Sequence, residues 1–137
     1  MIDTGSKPPT AEMVDKVRDL YNSDTEGTKK ILKEIDGCVE KGTEALKKGD
    51  LKELGKQMSR NQELLVKLGV SSLGIDTAVM IAKSSGAYGA KLCGGGGGGM
   101  AVALVGSARD ATRVVNALKS EGFDAYSTDI TFEGAKA

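Results

Sequence analysis

A chain of 137 residues is long enough to bury a core and argues for one domain spanning residues 1–137. Its 19 basic and 19 acidic residues cancel and aromatics make up only 4%, which argues against a nucleic-acid surface built on positive charge and stacking. No apolar run approaches the ~18 residues that a membrane span needs. Met1 to Gly5 lacks the basic and apolar regions of a signal peptide, so the cytoplasm is the expected compartment. Two cysteines without any histidine make neither a disulfide framework nor a zinc site.

In chain order, Ile2 followed by Asp3-Thr4-Gly5 reads as the end of a strand running into a turn. Pro8-Pro9 keeps the chain extended. Thr10 can cap a first helix carrying Met13, Val14, Val17, Leu20 and Tyr21 at helical spacing, and Asn22-Ser23-Asp24 breaks it. A second helix is expected from Thr28 to Lys48, with Ile31, Leu32, Ile35, Cys38, Val39, Ala45 and Leu46 on its inner stripe. Gly37 and Gly42 cost that helix stability, which points to close packing or a bend. Lys48-Gly49-Asp50 ends it and caps the next.

The third helix, Asp50 to Leu68, presents Leu54, Met58, Leu65 and Leu68, with Asn61 falling on the same stripe. A buried amide without a partner costs roughly 1–3 kcal/mol. Asn61 is therefore either satisfied by a nearby loop backbone or directed into a cleft. After the loop at Gly69 to Ser72, a fourth helix from Ile75 to Ser85 turns Ile75, Val79, Met80 and Ala82 inward, and Gly86 caps it. Ser107 can cap a fifth helix carrying Ala111, Val114, Val115 and Leu118, stopped by Gly122. A last strand is expected from Phe123 to Phe132, with Tyr126, Thr128, Ile130 and Phe132 on one face. A polar tail follows, Glu133 to Ala137.

Between the fourth and fifth helices stands the run of six glycines, Gly94 to Gly99. Glycine loses more conformational entropy on ordering than any other residue, so an ordered run needs a reason. A linker would sit between polar, low-complexity flanks. Here both flanks read as strands: Tyr88, Ala90 and Leu92 alternate, and Met100 to Val105 is a short apolar run. The run is therefore expected to be a structured loop between two strands. It matches G-x-G-x-x-G only formally, because a strand rather than a helix follows, and no Gly-Lys-Ser or Gly-Lys-Thr is present; Rossmann and P-loop readings fail. The element order is that of a split βαββαβ, an α+β ferredoxin-like antiparallel sheet with extra helices in the first crossover.

The segment Gly89-Ala90-Lys91-Leu92-Cys93 running into the six glycines and Met100 resembles the third motif of the GHMP kinases, in the mevalonate kinase branch roughly GAKLTGAGGGGC. Asn61 to Ser71 resembles that branch's N-x-x-L-L-x-x-L-G-V-S segment, and Asp3-Thr4-Gly5 with Thr10 its D-T-G…S-T turn. Cys93, Gly95, Met100 and Pro9 depart from the pattern. The resemblance implies the C-terminal domain type of the GHMP kinases. It further implies ATP- and Mg²⁺-dependent phosphoryl transfer to the hydroxyl of mevalonate, in isoprenoid precursor synthesis.

The same resemblance makes Gly94, Gly95, Gly96, Gly97, Gly98 and Gly99 a loop lining the cleft, packed against a phosphate-binding loop of an N-terminal half. It makes Thr10, Asn61 and Lys91 substrate-side candidates. No residue receives a catalytic or metal-binding role, because the P-x-G-x-G-S-S-A loop, catalytic aspartate and lysine of that half do not occur in these residues. ATP and Mg²⁺ are accordingly not expected to bind strongly to this chain alone. The expected partner is the N-terminal half, with a homo-oligomer a further possibility and neither nucleic acid nor membrane expected. The alternative is a non-catalytic ferredoxin-like small-molecule-binding or regulatory module.

Overall fold

The computed structural model describes residues 1–6 and 10–129. In chain order these form β1 (Ile2–Asp3), α1 (Thr10–Ser23), α2 (Thr25–Lys48), α3 (Leu51–Lys67), α4 (Leu73–Ser84), β2 (Gly89–Leu92), β3 (Met100–Leu104), α5 (Ala108–Ser120) and β4 (Asp124–Ala125). The four strands form one sheet in the order β2-β3-β1-β4, every neighbouring pair antiparallel. That order is the split βαββαβ arrangement expected from the sequence. No helix among the described residues is long and apolar enough to cross a membrane.

Local chemistry sets the helix starts. Asp24, Asp50, Ser72 and Ser107 each accept a hydrogen bond from a backbone N–H three residues on, at Gly27, Glu53, Ile75 and Asp110. Because Asp24 does the capping, α2 begins at Thr25, earlier than the expected Thr28. Gly69 closes α3 with φ +74°, so that the Val70 N–H turns back onto the Leu65 carbonyl at 3.2 Å. Gly86 takes the equivalent position after α4, one residue beyond the cap itself, which is Ser85.

The core lies between the sheet and the helices, with Ile2, Ile75, Ala78, Ala82, Ala90, Leu92, Ala101, Leu118 and Ala125 all buried. Ala78 and Ala82, the two alanines of α4, are small enough to let that helix approach the strands closely. Several apolar side chains expected inside are outside. Val14 and Tyr21 on α1, Leu32, Val39 and Leu46 on α2, and Met80 on α4 are all exposed. On α2 the reason is geometric: α3 packs against the row through Cys38, Gly42 and Ala45, leaving Leu32, Val39 and Leu46 one step round the helix in solvent. Of the two helix glycines singled out, Gly42 does sit against Leu54 and Gln57, whereas nothing lies within 4 Å of the side-chain position of Gly37.

The backbone contact that does need glycine lies elsewhere. A Cβ on Gly89 would fall on the Gly55 carbonyl oxygen, and one on Gly55 would fall on the Tyr88 backbone. Here α3 lies directly along β2, the edge strand of the sheet. The last strand is shorter than expected: only Asp124 and Ala125 pair with β1, and the Tyr126 N–H adds a bond to the Met1 carbonyl at 3.1 Å. Tyr126 and Thr128 are exposed. Pro8-Pro9, Ile130, Phe132 and the polar tail lie outside the described residues.

Candidate functional site

The six glycines join β2 to β3 and are folded onto their own chain. The Cys93 N–H donates to the Met100 carbonyl at 2.8 Å, closing the hairpin above the sheet. Beyond it, Gly94, Gly96, Gly97, Gly98 and Gly99 all have positive φ, between 75° and 147°. Two neighbouring turns receive the loop. From the α3–α4 connection, the Val70 carbonyl accepts the Gly97 N–H at 2.6 Å and occupies the place where a Cβ of Gly96 would stand. From the β1–α1 connection, both the N–H and the hydroxyl of Thr4 donate to the Gly99 carbonyl at 2.9 Å. Ser6 Oγ comes within 2.8 Å of the side-chain position of Gly98. The run is an ordered loop held by its neighbours, not a linker. These contacts require glycine within the chain itself, whatever else approaches the loop.

Thr10, at the start of α1, meets this loop: its methyl lies 2.8 Å from where a Cβ of Gly95 would be. Asn61 and Lys91 do not. They line a groove of about 270 Å³ between α2 and α3, to which neither Thr10 nor any of the six glycines contributes. The structure thus divides the sequence-derived candidates between two places. Asn61 is 9% exposed, and among the described residues its amide makes no hydrogen bond, so the loop-backbone partner expected as one alternative is not found. Lys91 Nζ donates to the Leu92 carbonyl at 2.9 Å. Burial pushes the Cys38 thiol in the same groove up from its ordinary value, against the pull of Arg60 and Lys41, which keeps it protonated at neutral pH.

With no partner to strand, Asn61→Leu is expected to leave stability unchanged or raise it by up to about 1 kcal/mol. Urea melts check this; a loss of roughly 1–3 kcal/mol would reveal a partner for the amide.

The amide that does structural work is Gln62, which sequence reasoning passed over for its neighbour. Its side chain is 5% exposed and fully used. The Oε1 accepts the Leu92 N–H at 2.9 Å, on the outer edge of β2, while Nε2 donates to Ser71 Oγ at 2.9 Å and Asp76 Oδ1 at 3.1 Å. Ser71 Oγ in turn donates to Asp76 Oδ1 at 2.6 Å. This network ties α3, α4 and β2 together beside Val70, whose carbonyl holds the glycine loop. No local signal marked Gln62, because its partners stand on β2, on the α3–α4 connection and on α4.

The site is a backbone-built loop, wedged between two turns at one end of a ferredoxin-like sheet, with the hydroxyl of a helix-initiating threonine beside it. That class of lobe is the one the sequence motifs implied, and comparison with known proteins places the chain in it. The chain belongs to the GHMP kinase C-terminal family, whose model, "GHMP kinases C terminal", matches residues 43–124. It is 34% identical over 134 residues to the mevalonate kinase of Aeropyrum pernix, covering 98% of this chain and 41% of that protein. It is 38% identical over 139 residues to the mevalonate kinase of Pyrococcus abyssi, covering 97% and 41%. The chain therefore spans about two fifths of the length of the relatives it matches. Among solved structures, L. major mevalonate kinase in complex with R-mevalonate superposes with a TM-score of 0.85 at 34% identity, over 88% of this chain and 37% of that one. A Lin0012 protein from Listeria innocua reaches 0.84 at 19% identity over 90% and 36%, a likeness of fold alone.

Proposed function

We propose that this chain supplies the C-terminal lobe of a mevalonate-kinase-type enzyme, one that transfers the terminal phosphoryl group of ATP to the hydroxyl of mevalonate in the cytoplasm. The observation that carries the reading is the likeness to mevalonate kinases along nearly the whole chain, glycine loop included. In this reading the nucleotide site and the catalytic groups come from an N-terminal lobe outside these residues. What this chain contributes is a closing surface. Glycines with positive φ present backbone N–H groups that no side chain shields, an arrangement suited to an anion. Among the described residues only the Gly97 N–H of the six is taken up, by Val70. The loop therefore fits a phosphate-bearing partner or the backbone of a phosphate-binding loop. Thr10 offers a hydroxyl at the same point.

In this reading the magnesium ion takes no ligand from this chain, although such an ion needs only one or two carboxylates beside the phosphates. No group of three or more His, Cys, Asp or Glu side chains is placed to hold a metal among the described residues. The ion's ligands belong, in this proposal, to the other lobe. Phosphoryl transfer rests on positioning and charge stabilisation, so a rigid loop that completes the cleft contributes without supplying a reacting group.

The test is to mix the purified chain with ATP, Mg²⁺ and mevalonate and follow ADP release, with and without the N-terminal lobe of a related kinase. The chain alone is expected to give no turnover above background. The mixture is expected to reach the ~1–100 s⁻¹ ordinary for kinases, less whatever imperfect docking costs. Turnover by the chain alone would overturn the division of labour. Tight association without turnover would favour a regulatory module.

A further inference from the structure

The α2–α3 groove takes no part in that proposal, and its composition is selective. Its walls are apolar: Val39 and Leu46 from α2, 58% and 53% exposed, face Leu54 and Met58 from α3. Its polar groups are few. Asn61 is nine-tenths buried and carries an amide with no partner among the described residues, which leaves both donor and acceptor available. Lys91 is the one charged side chain among the lining residues, and no acid stands among them to neutralise it. The polar atoms of Asn61 reach the solvent of the groove, since among the described residues the fully buried side-chain N or O left without a partner is Thr28 Oγ1, so the amide is open to bond something held there. A lone ammonium beside it sets the sign of that something.

We infer that the groove binds a small amphipathic monoanion, a medium-length carboxylic acid whose head group meets Lys91 and Asn61 and whose tail lies along Val39, Leu46, Leu54 and Met58. The size agrees. A volume of about 270 Å³ sits just below the ~300–1,000 Å³ of ordinary small-molecule sites. From Leu54 to Asn61 the helix rise gives roughly 10 Å, about the length of an extended eight-carbon chain. The carboxylate gains a charge-assisted bond from Lys91, which has donors left beyond the one given to Leu92, and a second from the Asn61 amide. The tail covers side chains that water otherwise wets.

The probe is octanoate, with 1-octanol as its uncharged counterpart, titrated into the 137-residue chain and followed by NMR at the Asn61 side-chain amide and the Met58 methyl. Saturable shifts at both positions are expected. Lys91→Met is expected to weaken octanoate about tenfold or more while leaving octanol within about twofold. Lys91 is partly buried, so Leu46→Glu serves as an independent variant on an exposed position. It places an acid at the groove wall and is expected to weaken octanoate but not octanol. Absence of saturable shifts, shifts confined to other residues, or equal octanoate affinity in both variants would each overturn the assignment. So would shifts of the groove resonances with protein concentration alone, together with a dimer in sedimentation, since a second copy would then be the occupant. None of these readouts depends on phosphoryl transfer, so their failure is separable from failure of the kinase reading.

Discussion

Gly89→Ala is expected to lose roughly 3 kcal/mol of stability, at the upper end of what overpacking a tight site costs. The added methyl group would fall on the Gly55 carbonyl oxygen, and the opposing atoms on both sides are backbone. No rotamer change relieves such a clash, so α3 has to lift from the edge of β2. Lifting it also strains the Gln62 bond to the Leu92 N–H, which costs a buried donor its partner. Gly37→Ala is the matched control. That position lies inside a helix, has nothing within 4 Å and no left-handed φ, and is expected to stabilise by about 0.5–1 kcal/mol. Urea denaturation of the two variants decides the matter. Equal, small effects would mean that α3 does not rest on the strand as described.

Within the glycine run the expected costs are ordered by two separable causes. Gly96→Ala meets both, a φ of +87° and the Val70 carbonyl, and is expected to cost about 2–5 kcal/mol when the two are summed. Gly94→Ala meets only the first, with φ +79° and open space around it, for about 1–2 kcal/mol. Gly95→Ala has no left-handed φ and meets only the Thr10 side chain, which can turn away; a change within about 1 kcal/mol is expected. Thermal melts give the ranking. A flat series would return the run to the status of a spacer. A reversed order of Gly94 and Gly96 would detach the loop from Val70.

The element order and the helix starts were legible in the sequence because their causes are local. An aspartate or serine three residues ahead of a free N–H caps a helix wherever that helix ends up. The side of a helix that packs is a different matter. Periodicity locates an apolar stripe on α2 but not which edge of it meets a neighbour, and the row Leu32, Val39 and Leu46 was assigned to the wrong side for that reason. Met80 failed similarly on α4, where Ala78 took the inward place because only a small residue fits against the strands. Gly55 and Gly89 carry no signal singly; Gly89 is required by the Gly55 carbonyl and Gly55 by the Tyr88 backbone, contacts made only where α3 meets β2. At the site, the family motifs singled out Thr10 as a substrate-side candidate, and it lies against Gly95 of the glycine loop. They also drew in Asn61 and Lys91, which the fold sends to the α2–α3 groove, while Gln62 stood unremarked beside Asn61. Which of two adjacent amides finds partners depends on where β2 and α4 lie, and that is a long-range fact.

The strand order has a consequence for how the molecule is assembled. Ile2 pairs with Ala101 on one side and Ala125 on the other, so the strand earliest in the chain is held between the two latest. Loops of roughly a hundred residues must close before that strand has any ladder at all, and sheets built from such distant pairings form slowly. The α2–α3 hairpin needs no such closure and can form while β1 waits. During that interval the β2–β3 hairpin presents the flank of β3 that β1 later covers, an unpaired edge able to recruit strands from other molecules. The two residues of β1 act as the sheet's own keystone and guard its middle against strangers.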